Sequence, residues 1–156
     1  MRYLISKIIL FLLLVITTAV ICSCSVGTCF DETESMVKAD FYSMESGTTT
    51  TADSLTLYGA GMDSLTIYNK SLKLKRAEMP LYAETGECNL VARLNGVNDT
   101  LTFRYSGSFN LISKECGYTY YFTLDTVLTT NNIIDSVAIT KKTITTLNEE
   151  NIRIYF

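Results

Sequence analysis

Leu90-Val91-Ala92-Arg93-Leu94-Asn95-Gly96-Val97-Asn98-Asp99-Thr100-Leu101-Thr102-Phe103-Arg104-Tyr105 is two alternating runs joined by turn residues. Leu90, Ala92 and Leu94 alternate with Val91, Arg93 and Asn95, and Leu101, Phe103 and Tyr105 alternate with Thr102 and Arg104. Successive side chains of an extended chain point to opposite faces, so this period of two buries one face of a strand and wets the other. Asn95-Gly96 is a pair that suits a two-residue hairpin turn, where both central residues take positive φ. That turn would set Asp99 opposite Ala92 on the inner face. A longer loop through Asp99 pairs Leu94 with Leu101 and Ala92 with Phe103, keeps the carboxylate out of the core, and is the expected connection.

The same alternation recurs along the chain: Val37, Ala39 and Phe41; Leu55 and Leu57; Leu65 and Ile67; Leu72 and Leu74; Tyr118, Tyr120, Phe122 and Leu124; Val137 and Ile139; Ile152 and Ile154. Gly, Asn and Asp punctuate the runs, and no window beyond the N-terminal segment carries a helical stripe. The expected fold is all-β, an antiparallel β-sandwich with an immunoglobulin-like arrangement as one version of it, over residues 37–156. Asp53-Ser54-Leu55-Thr56-Leu57-Tyr58 and Asp63-Ser64-Leu65-Thr66-Ile67-Tyr68 are near copies and read as one hairpin. Pairing Leu57 with Leu65 and Leu55 with Ile67 would keep like residues on like faces.

The N-terminus reads as an address. Met1 to Lys7 holds two positive charges and no negative one, and an apolar run follows from Ile8 to Ile21. Basic then apolar is the order of a secretory signal. A spanning helix needs roughly 20 apolar residues; this run is shorter, is interrupted by Thr17 and Thr18, and stops in a cysteine cluster. Ile21-Cys22-Ser23-Cys24 resembles the lipobox of bacterial lipoproteins, which puts the lipid on Cys24 and makes residues 1–23 the signal peptide and 24–36 a short acidic tether. By resemblance to the enteric lipoprotein sorting rule, Ser25 rather than Asp after that cysteine implies the outer membrane, and the neutral Ser25-Val26-Gly27-Thr28, unlike the acidic surface-export signals of Bacteroidota lipoproteins, implies a domain facing the periplasm. Attachment to the membrane is then through the N-terminal lipid.

Composition excludes several classes of function. The chain has 13 Lys+Arg and 16 Asp+Glu. Removing Arg2 and Lys7 with the signal leaves 11 against 16, a charge of −5. An acidic domain gains nothing from phosphates, so no nucleic-acid partner is expected. There is no His, which removes the commonest general base and metal ligand. No catalytic residue, metal site or cofactor is therefore assigned, and the expected role is that of a non-enzymatic envelope protein, structural or accessory to a protein partner.

Beyond Cys24 lie Cys29, Cys88 and Cys116. In an oxidising compartment these are disulfide candidates, with one left over. Cys29–Cys116 is the favoured pair and Cys88–Cys116 its rival. Five Asp-Ser/Thr-aliphatic triplets, with hydroxyls at Ser54, Ser64, Thr100, Thr126 and Ser136, suit turn caps. They also resemble the O-glycosylation acceptor of exported Bacteroidota proteins. Tyr58, Tyr68 and Tyr121 fall on the outward phase of their runs and form a candidate face for binding glycan or peptide, against the commoner use of such residues in packing. Asp31, Glu32 and Glu34 lack the spacing of a calcium loop.

Taken together, Cys29, Tyr58-Gly59-Ala60-Gly61-Met62-Asp63-Ser64-Leu65, Pro80-Leu81, Ser113-Lys114-Glu115-Cys116-Gly117, Ile134-Asp135-Ser136-Val137 and Ile152-Arg153-Ile154-Tyr155-Phe156 carry a further likeness. The chain is similar to small lipoproteins of Bacteroidota grouped as a domain of unknown function. The resemblance implies a Cys29–Cys116 bond and a β-sandwich, and it implies no activity. Cys88 departs from the pattern.

Overall fold

The computed structural model describes residues 3–9, 11, 27–62 and 65–156. They fall into two compact units, Met1–Phe30 and Asp31–Phe156. The first contains helical residues 3–9 and 11, and no described helix is long and apolar enough to cross a membrane. The proposed lipid-bearing Cys24 lies outside the described residues. The second unit begins at Asp31, inside the segment read as a tether.

The described residues of that second unit form ten strands: β1 (Met36–Tyr42), β2 (Ala52–Gly59), β3 (Thr66–Leu74), β4 (Arg76–Pro80), β5 (Glu87–Leu94), β6 (Val97–Ser113), β7 (Gly117–Thr129), β8 (Ser136–Ile139), β9 (Thr143–Ile144) and β10 (Ile152–Tyr155). They form a four-stranded sheet, β4-β1-β10-β8, and a six-stranded sheet, β3-β2-β5-β6-β7-β9. All pairings are antiparallel except β1 with β10. The expected sandwich is what the alternation builds. Val37, Ala39, Phe41, Ile152 and Ile154 from one sheet meet Leu55, Leu57, Leu90, Leu94, Leu101, Phe103 and Leu124 from the other in a single buried core. Asn151 secures the parallel pair: its Oδ1 accepts from the Lys38 amide at 2.9 Å, and its own amide donates to the Lys38 carbonyl.

The β5–β6 connection overturns the longer loop. Leu94 pairs with Val97 and Ala92 with Asp99, a two-residue turn in which Asn95 and Gly96 both have positive φ, 50° and 91°. Asp99 is buried in consequence. It is tolerated there because four donors satisfy its carboxylate: Thr130 Oγ1 and the amide of Asn132 on Oδ1, and the amides of Ile133 and Ile134 on Oδ2. Burial pushes its pKa up, but the Thr130 hydroxyl and the three amides outweigh that and hold it below the usual carboxylate value.

The β2–β3 hairpin forms, with a different register from the expected one. Tyr58 pairs with Thr66 and Leu57 with Tyr68, with bulges between. The turn consumes Leu65, whose amide donates to the Met62 carbonyl, while the Met62 amide donates to Gly59. β3 is an edge strand with little buried surface on either face, so no core pattern enforces like-with-like pairing. Its Lys70 and Lys73, both at positive φ, bend and charge an edge that would otherwise invite another strand.

Candidate functional site

β6 and β7 are far longer than their neighbours, at 17 and 13 residues. β5 starts at Glu87, opposite Arg104, so β6 beyond Tyr105 and the facing part of β7 run past β5 as an arm, flanked by β9 at Phe122 and Thr123 and two-stranded beyond them. The pairs along the arm are Gly107 with Phe122, Phe109 with Tyr120 and Leu111 with Tyr118. These residues continue the phase of the core-facing Tyr105 and Leu124, which pair in the same ladder. The core face of the six-stranded sheet therefore runs on beyond the core.

Its aromatic rings form a chain of contacts. Tyr105 meets Phe122 edge-on at 5.4 Å, Phe122 lies near-parallel to Tyr120 at 6.4 Å, Tyr120 tilts against Phe109 at 5.2 Å, and Phe109 stacks on Tyr118 at 4.8 Å. Such offset and edge-to-face contacts are the favoured aromatic geometries. Gly107 lies beside the Phe122 ring, where a Cβ would make an ordinary contact at 3.5 Å. Tyr105 anchors the base, donating to the Tyr82 carbonyl at 2.7 Å and accepting from the Tyr82 amide at 3.0 Å; burial raises its pKa. Exposure rises along the arm: Tyr105 and Phe122 are 4% exposed, Tyr120 37%, Leu111 56%, Tyr118 60% and Phe109 62%.

Other apolar groups collect at the same end of the sandwich. Gly59 pairs with Leu90 near the start of β5, so the β2–β3 turn lies beside the base of the arm. Exposed Met62, Leu65, Ile67 and Tyr82 line a hollow of about 430 Å³ there. The chain also enters the domain at this end. Met36 opens β1 opposite Pro80, the last residue of β4, and the Thr119 hydroxyl donates to the Thr33 carbonyl at 2.7 Å. Between this entering segment and the arm is a second hollow, about 360 Å³, lined by Thr33, Ser35, Met36, Leu81, Tyr120 and Phe122. Ser35 Oγ is buried there without a hydrogen-bond partner. A more polar hollow of about 190 Å³ is bounded by Glu32, Glu34, Lys38 and Glu78.

The expected tyrosine face is not assembled. Tyr58 on β2 and Tyr121 on β7 are half-buried, with β5 and β6 between their strands, and the ladders set Tyr58 level with Val91 and Thr100 while Tyr121 pairs with Ser108, far along the sheet. Tyr68 packs against the core, and its hydroxyl accepts from the Glu78 amide at 3.0 Å. Sequence reading does not single out Phe109 and Leu111, because Gly107 breaks the apolar run; the signal is that Phe109 and Leu111 resume the phase of Phe103 and Tyr105 beyond it. The candidate acceptor hydroxyls lie mostly in strands rather than turns. Ser54 and Thr100 are half-buried within β2 and β6, Thr126 is exposed on β7, and Ser136 is exposed at the start of β8. Ser64 lies outside the described residues.

Cys29 and Cys116 are both disulfide-bonded, which supports the Cys29–Cys116 pair over Cys88–Cys116. Cys88 is buried and free, and burial pushes its thiol up to about 11. Among the described residues, no group of three or more His, Cys, Asp or Glu could hold a metal ion.

Residues 54–156 match the model of a family of unknown function, DUF6452. The chain belongs to DUF6452. That match runs from within β2 through β10 and includes the whole arm, but not β1. No curated protein and no solved structure matches the chain. The match bears out the expectation of a domain of unknown function.

Proposed function

We propose that this DUF6452 protein is a lipid-anchored, non-catalytic component of the cell envelope, held on the periplasmic side of the outer membrane as an accessory to a larger assembly. The observation that carries this reading is Ile21-Cys22-Ser23-Cys24 directly after a basic and then an apolar segment. Processing at Cys24 removes residues 1–23 and leaves an acylated N-terminus, and several acyl chains suffice for stable anchoring. The absence of His from the chain supports a binding role over a hydrolytic one. Of the candidate O-glycosylation hydroxyls among the described residues, Thr126 and Ser136 are the exposed ones, and they are the acceptors we assign.

Cell fractionation combined with in-cell crosslinking tests this. The native chain is expected in the outer-membrane fraction, crosslinked to an envelope protein, and Cys24→Ala is expected to release it from that fraction. Retention of Cys24→Ala in the membrane, or recovery of monomer alone after crosslinking, would contradict the anchor or the assembly role respectively. The mass of the peptides bearing Thr126 and Ser136 reads out glycosylation in the same sample.

A further inference from the structure

We propose that the arm end of the sandwich docks into the interfacial layer of a zwitterionic phospholipid bilayer, with Phe109, Leu111 and Tyr118 among the headgroups. This deepens the lipid-anchor reading and rests on it. Four observations converge on the bilayer as occupant.

The first is the length and direction of the leash. Thr33 is fixed to Thr119 on the arm, and nine residues on from Cys24 the chain spans at most about 32 Å. Cys116 lies in the turn at the tip of the arm and is disulfide-bonded. With Cys29 as its partner, only four residues intervene between Cys29 and the lipid, a reach of roughly 18 Å. A lipid on Cys24 therefore keeps the tip of this arm within reach of the membrane.

The second is the chemistry of the arm. Its exposed residues are Phe, Leu and two Tyr, side chains with apolar bodies that favour the membrane interface, where a tyrosine hydroxyl stays wet. At about 150–250 Å² per aromatic side chain, the half-exposed cluster offers on the order of 400 Å², the size of the largest apolar patch on a typical monomer, which is often a functional one. Met62, Leu65 and Tyr82 extend it at the same end of the sheet.

The third is charge. Lys114 and Glu115 at the tip cancel, and the entering segment carries Asp31, Glu32 and Glu34. Nothing here attracts an anionic headgroup, so the contact is apolar and its lipid is zwitterionic. The fourth is effective concentration. A patch too small to bind a membrane alone becomes an intramolecular second contact once the lipid holds it within tens of ångströms.

The chain has no Trp, so a single introduced indole reports without background. Full-length chain carrying Phe109→Trp, or Leu111→Trp as a second reporter, would be made in a host that processes lipoproteins and reconstituted into phosphatidylcholine vesicles with brominated acyl chains. Val97→Trp, exposed at the opposite end of β6, is the control. Indoles at positions 109 and 111 are expected to shift to the blue and to be quenched several-fold more than the control, equally at low and high salt. If they stay as wet and unquenched as position 97 while the protein floats with the vesicles, docking is wrong and the anchor stands. Loss of the quenching in high salt would also overturn the apolar contact. An N-terminal peptide without acyl chains overturns the anchor and docking together. A photocrosslinker at position 109 that captures an envelope protein in cells, with the vesicle indole unquenched, assigns the face to a protein partner and overturns the bilayer.

Discussion

Asp99 shows how one side chain can mislead a reading of the fold. Its carboxylate on an inner face is costly in isolation, and that cost argued for a longer loop. What alternation could not reveal is the partner set 30 residues downstream: Thr130, Asn132, Ile133 and Ile134 donate to it from the loop between β7 and β8. Buried and fully hydrogen-bonded, the carboxylate becomes a latch that holds this loop across the turn end of the sandwich. Asp99→Ala leaves these donors without an acceptor and is expected to cost roughly 3 kcal/mol, with Asp99→Asn intermediate, in denaturant unfolding at neutral pH. Because the folded pKa is depressed, the stabilisation is fully present above the ordinary carboxylate value. It is lost as pH falls below that value and through the lower folded one. The native protein should lose this share of its stability in acid, and Asp99→Asn should lose less of its own over the same range. Cys88 gives a second check at this scale. Its buried, high-pKa thiol should resist alkylation in the folded protein and react once the chain is unfolded; prompt labelling under native conditions would contradict the placement.

At the scale of elements, strands were legible wherever one face is buried and the other wet. β5, the first half of β6 and β10 alternate cleanly and sit where the pattern puts them, and β1 does so except at Lys38, which is buried as well. Legibility failed where burial does not discriminate. β3 is exposed on both faces, so its likeness to β2 did not set the register, and Leu72 stays 70% exposed. β4 was missed because Arg76-Ala77-Glu78-Met79-Pro80 is short and charged, although its Ala77 and Met79 are fully buried. An ion pair explains how it tolerates charge: Arg76, across from Asp40 in the β1–β4 ladder, donates to both of that carboxylate's oxygens. The β5–β6 turn was readable from Asn95-Gly96 alone. Gly96, at φ 91° with open space around it, is expected to cost about 1 kcal/mol as Ala through backbone strain rather than a clash. A neutral result in thermal or denaturant unfolding would show that the turn relaxes. Asn95 has a further job, since its Oδ1 accepts from the Ser54 amide at 3.1 Å and ties the turn to β2.

The whole molecule shows one end of a sandwich set apart from the other. The latch and the tight turn close the end where β5 and β6 meet, while the arm, the chain entry, the β2–β3 turn and the disulfide-bonded Cys116 gather at the opposite one. The sandwich was legible as a fold class; this polarity was not, because it depends on β6 and β7 outrunning their neighbours, a length that interrupted alternation hides. The Cys29–Cys116 bond would close a loop long enough to contribute roughly 4–5 kcal/mol in the loop-entropy model. Its double replacement by Ala is expected to lower unfolding stability by 2 or more of those roughly 4–5 kcal/mol, whereas Cys88→Ala should leave the bond intact. Non-reducing peptide mass spectrometry on protein extracted from membranes tests the anchored, disulfide-held domain most directly. The expected result is an N-terminal peptide that begins at Cys24 and carries acyl chains, a peptide linking Cys29 to Cys116, and Cys88 as a lone thiol. A chain that keeps Met1 with an unmodified Cys24, or one that joins Cys88 to Cys116, would contradict it.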